Sequence, residues 1–332
     1  MSLEIIQKRA FEHFEKGRYP ECLAIIQDIS PGQREIQLRI LEAVCLSETG
    51  ACEEAEICLR DLRLAVPDSA EVCIYLGRIL QEQGEDEARA AFSEAVRLDP
   101  DNPEGLRWYA DFLTGEEDYA ASIPVLVRLH VLTGDPEDLC RLMHAYRRDG
   151  RPLDAASAYE ADNKPAVCRS QYLRALCETG RYREICDLVP AGEETPPGEM
   201  ILLIRSLAAV SPESVDTVVL PRIQKEPDSG IISEYIRFLI QSGRFREAAG
   251  VWSTYLSKEE IPGYQILICP ALAGLHELKK AEEIYHSVLF PDPPDASNQE
   301  LTAWLSAYRD LLSENGESRS HQVFRETAGE VM

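Results

Sequence analysis

No part of this sequence is apolar for long enough to cross a bilayer. The run that opens at Met200 is already cut by Arg205, whereas a spanning helix needs about 20 such residues. Met1 to Gly17 reads as a mixed polar helix and lacks the apolar centre of a signal peptide, so a cytoplasmic protein without membrane attachment is expected. Positive charge is also scarce. With 34 Lys and Arg against 58 Asp and Glu the formal net charge is −24, which disfavours nucleic acid and anionic lipid as partners, because both bind through cationic neutralisation of phosphate. Catalytic signatures are missing too: there is no Gly-rich phosphate loop, no His-Glu-x-x-His and no Gly-x-Ser-x-Gly. The six histidines (His13, His130, His144, His276, His286, His321) are dispersed, and none falls at a ligand spacing. Ten cysteines form no Cys-x-x-Cys pair and read as reduced thiols filling small core positions, Cys168, Cys177 and Cys186 included. The expectation is a protein that is not an enzyme and carries no cofactor and no metal.

What the sequence does have is a period. A helix, a tight turn and a second helix return along most of the chain. The turns are anchored at Gly17, Gly50, Gly84, Glu117, Gly150, Gly180, Ser211, Gly243 and His276, separated by 33, 34, 33, 33, 30, 31, 32 and 33 residues. Glycine suits the anchor because a helix commonly ends on a left-handed residue, which a position without Cβ adopts freely. Seven residues before each anchor stand Ala10, Ala43, Gly77, Ala110, Met143, Leu173, Ile204, Ile236 and Cys269, of which the first four are small enough for a neighbouring helix to come close. Four before it stand His13, Leu46, Leu80, Leu113, Tyr146, Leu176, Leu207, Leu239 and Leu272, a nearly unbroken apolar seam. The second helices pair a small residue with a bulky one four later: Ala55 with Leu59, Ala88 with Phe92, Ala155 with Tyr159, Ala248 with Trp252, Ala281 with Tyr285. Proline then punctuates the units at Pro67, Pro100, Pro136, Pro165, Pro197, Pro227 and Pro262, where it ends one helix or opens the next.

Gly77, Leu80, Gly84, Ala88, Phe92, Ala95 and Pro100 together resemble a tetratricopeptide repeat (TPR), and the flanking units follow the pattern more loosely over residues 3–290. The resemblance implies an all-α, right-handed superhelical solenoid of eight to nine helix-turn-helix repeats with a C-terminal capping helix. Residues 3–190 read as an N-terminal array, 191–198 as an irregular joint, 199–290 as degenerate repeats, and 296–332 as a capping helix (Leu301, Trp304, Leu305, Tyr308, Leu311, Leu312) with a polar tail. By resemblance, such a protein is a non-enzymatic adaptor that binds a polypeptide along the concave face lined by the first helices. The alternative is a structural subunit of a homo-oligomer or larger complex without a peptide groove.

One series runs against the prevailing charge. The residues six before the anchors are Phe11, Val44, Arg78, Asp111, His144, Arg174, Arg205, Arg237 and Pro270, with Arg107 and Arg147 at flanking positions. Arginine's planar fork grips carboxylates and phosphates in pairs of hydrogen bonds. Arg78, Arg107, His144, Arg147, Arg174, Arg205 and Arg237 are therefore the candidate peptide-binding residues, for an acidic or phosphorylated partner. The competing expectation is that these arginines are occupied by acids on adjacent helices. TPR domains that hold chaperone C-terminal carboxylates resemble one another in placing asparagines on the first two repeats. This chain has asparagine only at Asn102, Asn163, Asn298 and Asn315, so that clamp is not assigned.

Each repeat buries its seam mainly against the next, so deletion from Ser297 onward should uncover Leu272, Leu275 and Tyr285 and cause aggregation. Light scattering of the truncated chain checks this, and unchanged solubility and melting would contradict the capping role.

Overall fold

The protein is described from a computed structural model. It describes residues 3–257, apart from 31, 33, 85, 86 and 193, together with 265, 267–275, 277, 280 and 284. The expected capping helix and tail, the turn at His276, the pair Ala281 and Tyr285, and Pro262 lie outside the described residues.

Among the described residues there are seventeen α-helices and no strand. In chain order they are α1 (Leu3–Glu15), α2 (Tyr19–Gln27), α3 (Ile36–Glu48), α4 (Cys52–Ala65), α5 (Ala70–Gln83), α6 (Ala88–Leu98), α7 (Pro103–Gly115), α8 (Tyr119–Thr133), α9 (Pro136–Arg148), α10 (Pro152–Ala161), α11 (Arg169–Glu178), α12 (Tyr182–Leu188), α13 (Pro197–Val210), α14 (Val215–Lys225), α15 (Ser229–Gln241), α16 (Phe245–Tyr255) and α17 (Cys269–Gly274). None of them is long and apolar enough to cross a membrane. The chain forms two compact units, one up to Ala175 and one from Leu176 onward. In the first, helices α1 to α10 pack each on the next, and α5 also touches α3 and α7. In the second, α13 packs on α12, α14 and α15, and α16 on α15 and α17. This is the expected all-α array of TPR-like helix hairpins.

The ends of the helices follow from local chemistry. Ser69, Asn102, Asp118, Asp135 and Asp228 each turn a side-chain oxygen onto a backbone N–H of the first turn that follows, satisfying donors the helix cannot. Proline opens α2, α7, α9, α10 and α13, where its missing N–H costs nothing. At the other end Gly17, Gly50, Gly84, Gly150, Gly180 and Gly243 all have φ between 66° and 86°. Glu117 does the same work at φ 58° without being glycine. The residue after the anchor then donates its N–H to the carbonyl four before the anchor. Arg18 reaches His13, Ala51 reaches Leu46, Asp118 reaches Leu113, Arg151 reaches Tyr146, Arg181 reaches Leu176 and Arg244 reaches Leu239, at 2.8–2.9 Å. Ser211 departs from the series: its φ is −150° and a 3₁₀ turn over Pro212–Ser214 follows. The reason is Pro212, which biases its predecessor towards extended backbone.

The packing matches the period. All nine positions seven before the anchors are buried, from Ala10 to Cys269. Gly77 shows why a small residue is wanted there, since a Cβ would stand 2.9 Å from the ring of Phe92, itself fully enclosed. Ala55, Ala88, Ala155 and Ala248 on the second helices are fully buried, as are Leu59 and Phe92 four residues on.

The cysteines need one correction. Cys140 on α9 and Cys168, in the 3₁₀ turn before α11, are joined as a disulfide, where reduced thiols were expected throughout. The search for Cys-x-x-Cys tests only neighbours in sequence. A repeat also brings residues one unit apart together, and these two stand 28 residues apart with 5.1 Å between their Cα atoms. Of the remaining eight, Cys22, Cys45, Cys73 and Cys269 are buried, and Cys52, Cys58, Cys177 and Cys186 partly so.

Two substitutions test this account in opposite directions. Glu117→Gly removes the left-handed strain and should stabilise the protein by about 0.5–1 kcal/mol. Gly77→Ala drives a methyl into Phe92 and should cost roughly 1–3 kcal/mol. Denaturant unfolding of both variants gives the two signs, and a stabilising Gly77→Ala would contradict the close approach of α5 to α6.

Candidate functional site

The first helix of each hairpin leaves one face uncovered, and the series six before the anchors lies on it. Arg78 and His144 are half-buried, Asp111, Arg174 and Arg205 are exposed, and Arg237 is half-buried, while the neighbours one residue earlier are all buried. Val44 and Pro270 are themselves buried, and Phe11, which begins the series, is exposed.

In the first unit the face runs over α5, α7, α9 and the start of α11. Arg78 on α5 lies over the Trp108 ring of α7 at 4.1 Å and near that of Tyr75 at 5.3 Å. Arg107 donates to Asp138 on α9 at 3.0 Å, and Asp138 is 1% exposed and also takes the Thr133 hydroxyl. Asp111 pairs with Arg141 at 3.0 Å. Arg147 donates to the amide oxygen of Gln171 at 2.6 Å. Arg174 has no hydrogen bond or ion pair with another described residue. His144 sits edge-on to Tyr119. Burial, followed by the charges of Arg147, Arg148 and Arg174, pushes its pKa below the ordinary histidine value, so it is neutral at pH 7 and adds no charge to the ladder. Three guanidiniums thus stand near one imidazole, a local concentration of positive charge in an acidic protein.

In the second unit Arg205 on α13 grips Glu234 on α15 with both arms of its fork, at 2.8 and 3.0 Å, and Arg237 donates to the same carboxylate at 3.0 Å. Burial pushes the Glu234 carboxyl up, but the two guanidiniums outweigh it and hold its pKa below the ordinary range. These three residues border a cavity of about 440 Å³ with Cys177, Tyr182 and Gln241. A cavity of about 580 Å³ in the first unit is lined instead by acids, Asp68, Glu71, Asp99 and Glu104, with Tyr75 and Asn102. Among the described residues no group of three metal-ligating side chains converges.

Acids on adjacent helices occupy Arg107 and Arg205, as the competing expectation has it, and the pairs share one spacing. Arg60 and Glu87, Arg89 and Asp118, Asp101 and Arg128, Arg107 and Asp138, Asp111 and Arg141, Arg205 and Glu234, and Asp216 and Arg244 stand 27 to 31 residues apart and form ion pairs. Opposite charges one repeat apart become neighbours on adjacent hairpins. The aromatic flanks of Arg78 are Tyr75 on its own helix and Trp108 on the next first helix, the latter likewise at that spacing.

The pair at Glu234 has a pH signature. Its carboxyl has a lowered pKa in the folded chain, so the stabilisation is complete above the ordinary carboxylate pKa and fades as pH falls through the folded value. Glu234→Gln should therefore cost about 1–3 kcal/mol at pH 7, and its difference from wild type should shrink below about pH 4. Denaturation at pH 7 and pH 3.5 measures this, and an equal cost at both pH values would contradict the ionised pair.

No family model matches the sequence, and no curated protein matches it. Among solved structures, it is similar to a tetratricopeptide repeat protein from Parabacteroides merdae, at 13% identity and a TM-score of 0.48 over 82% of this chain and 98% of that one. It is also similar to pilF of Pseudomonas aeruginosa, at 20% and 0.41 over 62% and 97%. A chain of the Naa15/Naa10 structure bound to HypK-THB gives 16% and 0.45 over 99% of this chain and 50% of that one. With every TM-score below 0.5, these likenesses carry no argument about function. By its own helices, turns and period, the chain is an array of tetratricopeptide-like hairpins.

Proposed function

We propose that this protein is a non-enzymatic adaptor that holds another polypeptide, acidic or phosphorylated, against the uncovered face of its first helices. The residues assigned to it are Arg78, Arg107, His144, Arg147, Arg174, Arg205 and Arg237. The observation that supports it is the contrast within single helices: positions seven before each anchor are buried, while from Arg78 to Arg237 the next residue along carries polar or charged groups at the surface. Such groups contribute little to packing, which leaves those without an internal ion pair available to meet another molecule.

The seven residues have different parts in this reading. Arg107 and Arg205 each hold a carboxylate of the next first helix and act first as struts between hairpins, while Arg237 holds Glu234 within its own helix. Arg174, exposed beside Arg147 and His144, is the residue offered most openly to an acidic segment. A net charge of −24 around such a patch repels acidic molecules elsewhere and focuses them here.

The alternative, a subunit of a homo-oligomer, is favoured by the second helices, where Leu64 is 84% and Val131 77% exposed. A dimer or larger species in light scattering that is lost in Leu64→Glu or Val131→Glu would favour it.

Affinity capture with mass spectrometry, followed by titration of the captured polypeptide, tests the adaptor reading. Arg174→Glu should weaken binding roughly tenfold, or about 1.4 kcal/mol, and added salt should weaken it further. Arg18→Glu, at a turn, should change it little. Binding indifferent to Arg174 and to salt would sink the acidic-partner reading, and failure to retain any polypeptide would sink the adaptor itself.

A further inference from the structure

Arg78 differs from the other arginines of the first-helix face in what surrounds it. Arg107, Arg205 and Arg237 each meet a carboxylate. Arg78 meets two aromatic rings instead, with its guanidinium carbon 4.1 Å from the Trp108 ring centre and 5.3 Å from that of Tyr75. It forms no ion pair or hydrogen bond with another described residue, and its Nε is walled off from water with no acceptor in reach. An enclosed N–H donor without a partner has lost its water and gained nothing in exchange. The rings restrain the guanidinium, which lowers the entropy that a flexible arginine loses on binding. What remains are the terminal guanidinium N–H groups, which have no acceptor among the described residues, on a half-buried side chain.

We infer that Arg78, stacked against Trp108 and Tyr75, reads a side-chain carboxylate of the bound polypeptide. This deepens the adaptor reading above and rests on it. The neighbours also choose between anions. Glu71 and Glu104 both act on the Tyr75 hydroxyl, beside Arg78 itself, and with Asp68 and Asp99 they line the acidic cavity that shares Tyr75. One guanidinium balances the single charge of an Asp or Glu side chain. A phosphate near −2 would keep a net negative charge facing those acids and be repelled. The subsite therefore takes carboxylate and discriminates against phosphoserine, narrowing the partner from acidic or phosphorylated to acidic.

An array of degenerate 12-residue peptides with Glu, Gln or phosphoserine fixed at the centre provides the probe, with binding of the best sequence then measured in solution. For the wild type, replacing the central Glu by Gln should weaken binding roughly tenfold, and phosphoserine should bind less well than Glu. In Arg78→Gln the Glu-to-Gln difference should fall to about twofold or less. Arg78→Lys keeps the charge but loses the fork and the stacking, and it should recover only part of the difference. Circular dichroism and melting establish that each variant is folded, and the wild-type ranking of Glu, Gln and phosphoserine stands as a test even where a variant is not. A preference for phosphoserine, or a Glu-to-Gln difference unchanged in folded Arg78→Gln, overturns the inference while leaving polypeptide binding intact. If the wild type binds no peptide on the array, the adaptor reading itself is overturned.

Discussion

The bond from the residue after each left-handed turn back to the carbonyl four before the anchor is the constraint on which the rest depends. It ends one helix and sets the departure angle of the next, so six of the hairpins leave their turns in the same way, from His13–Arg18 to Leu239–Arg244, while the Ser211 turn departs from it. The acceptor is also the seam residue, usually leucine, so one position supplies both the carbonyl that closes the turn and the side chain that packs beneath it. That double use keeps the spacing near 33 residues: moving the turn by one residue would carry the seam off its face.

Given uniform hairpins, charge becomes periodic as well. An acid and a base 27 to 31 residues apart are brought side by side on consecutive units, which is why Arg107 finds Asp138 and Arg205 finds Glu234. The turns carry a local version, in which Arg151, Arg181 and Arg244 each grip an acid three residues later. Many of these pairs are partly exposed and individually weak. Asp138 and Glu234 are the exceptions, buried carboxylates held by arginine, Glu234 by two guanidiniums from two helices, where loss of a partner leaves a charge in the interior.

The same regularity decides what is left over for a partner. Once the inter-repeat pairs are formed, Arg78 and Arg174 are the members of the series that meet no acid among the described residues, Arg78 because tryptophan and tyrosine occupy the positions around it. Positive charge therefore reaches the surface at particular repeats and not as a continuous ladder. His144, kept neutral by burial and by its arginine neighbours, breaks the series further.

The sequence by itself determined the fold. Glycines at a near-constant interval, small residues seven before them and leucines four before them specify hairpin after hairpin, because helix termination and seam packing are local and repeat with the chain. It marked the uncovered face too, since a polar residue beside an always-buried one has one direction left to point. Only the tertiary structure decided which charges on that face are occupied. The Asp138 that holds Arg107, the Trp108 ring that flanks Arg78, and the Cys168 that meets Cys140 each lie about one unit further along the chain, or across to the next first helix. Such contacts are set by how one hairpin is laid against the next. That placement depends on packing geometry summed over both hairpins, which no local pattern of residues encodes.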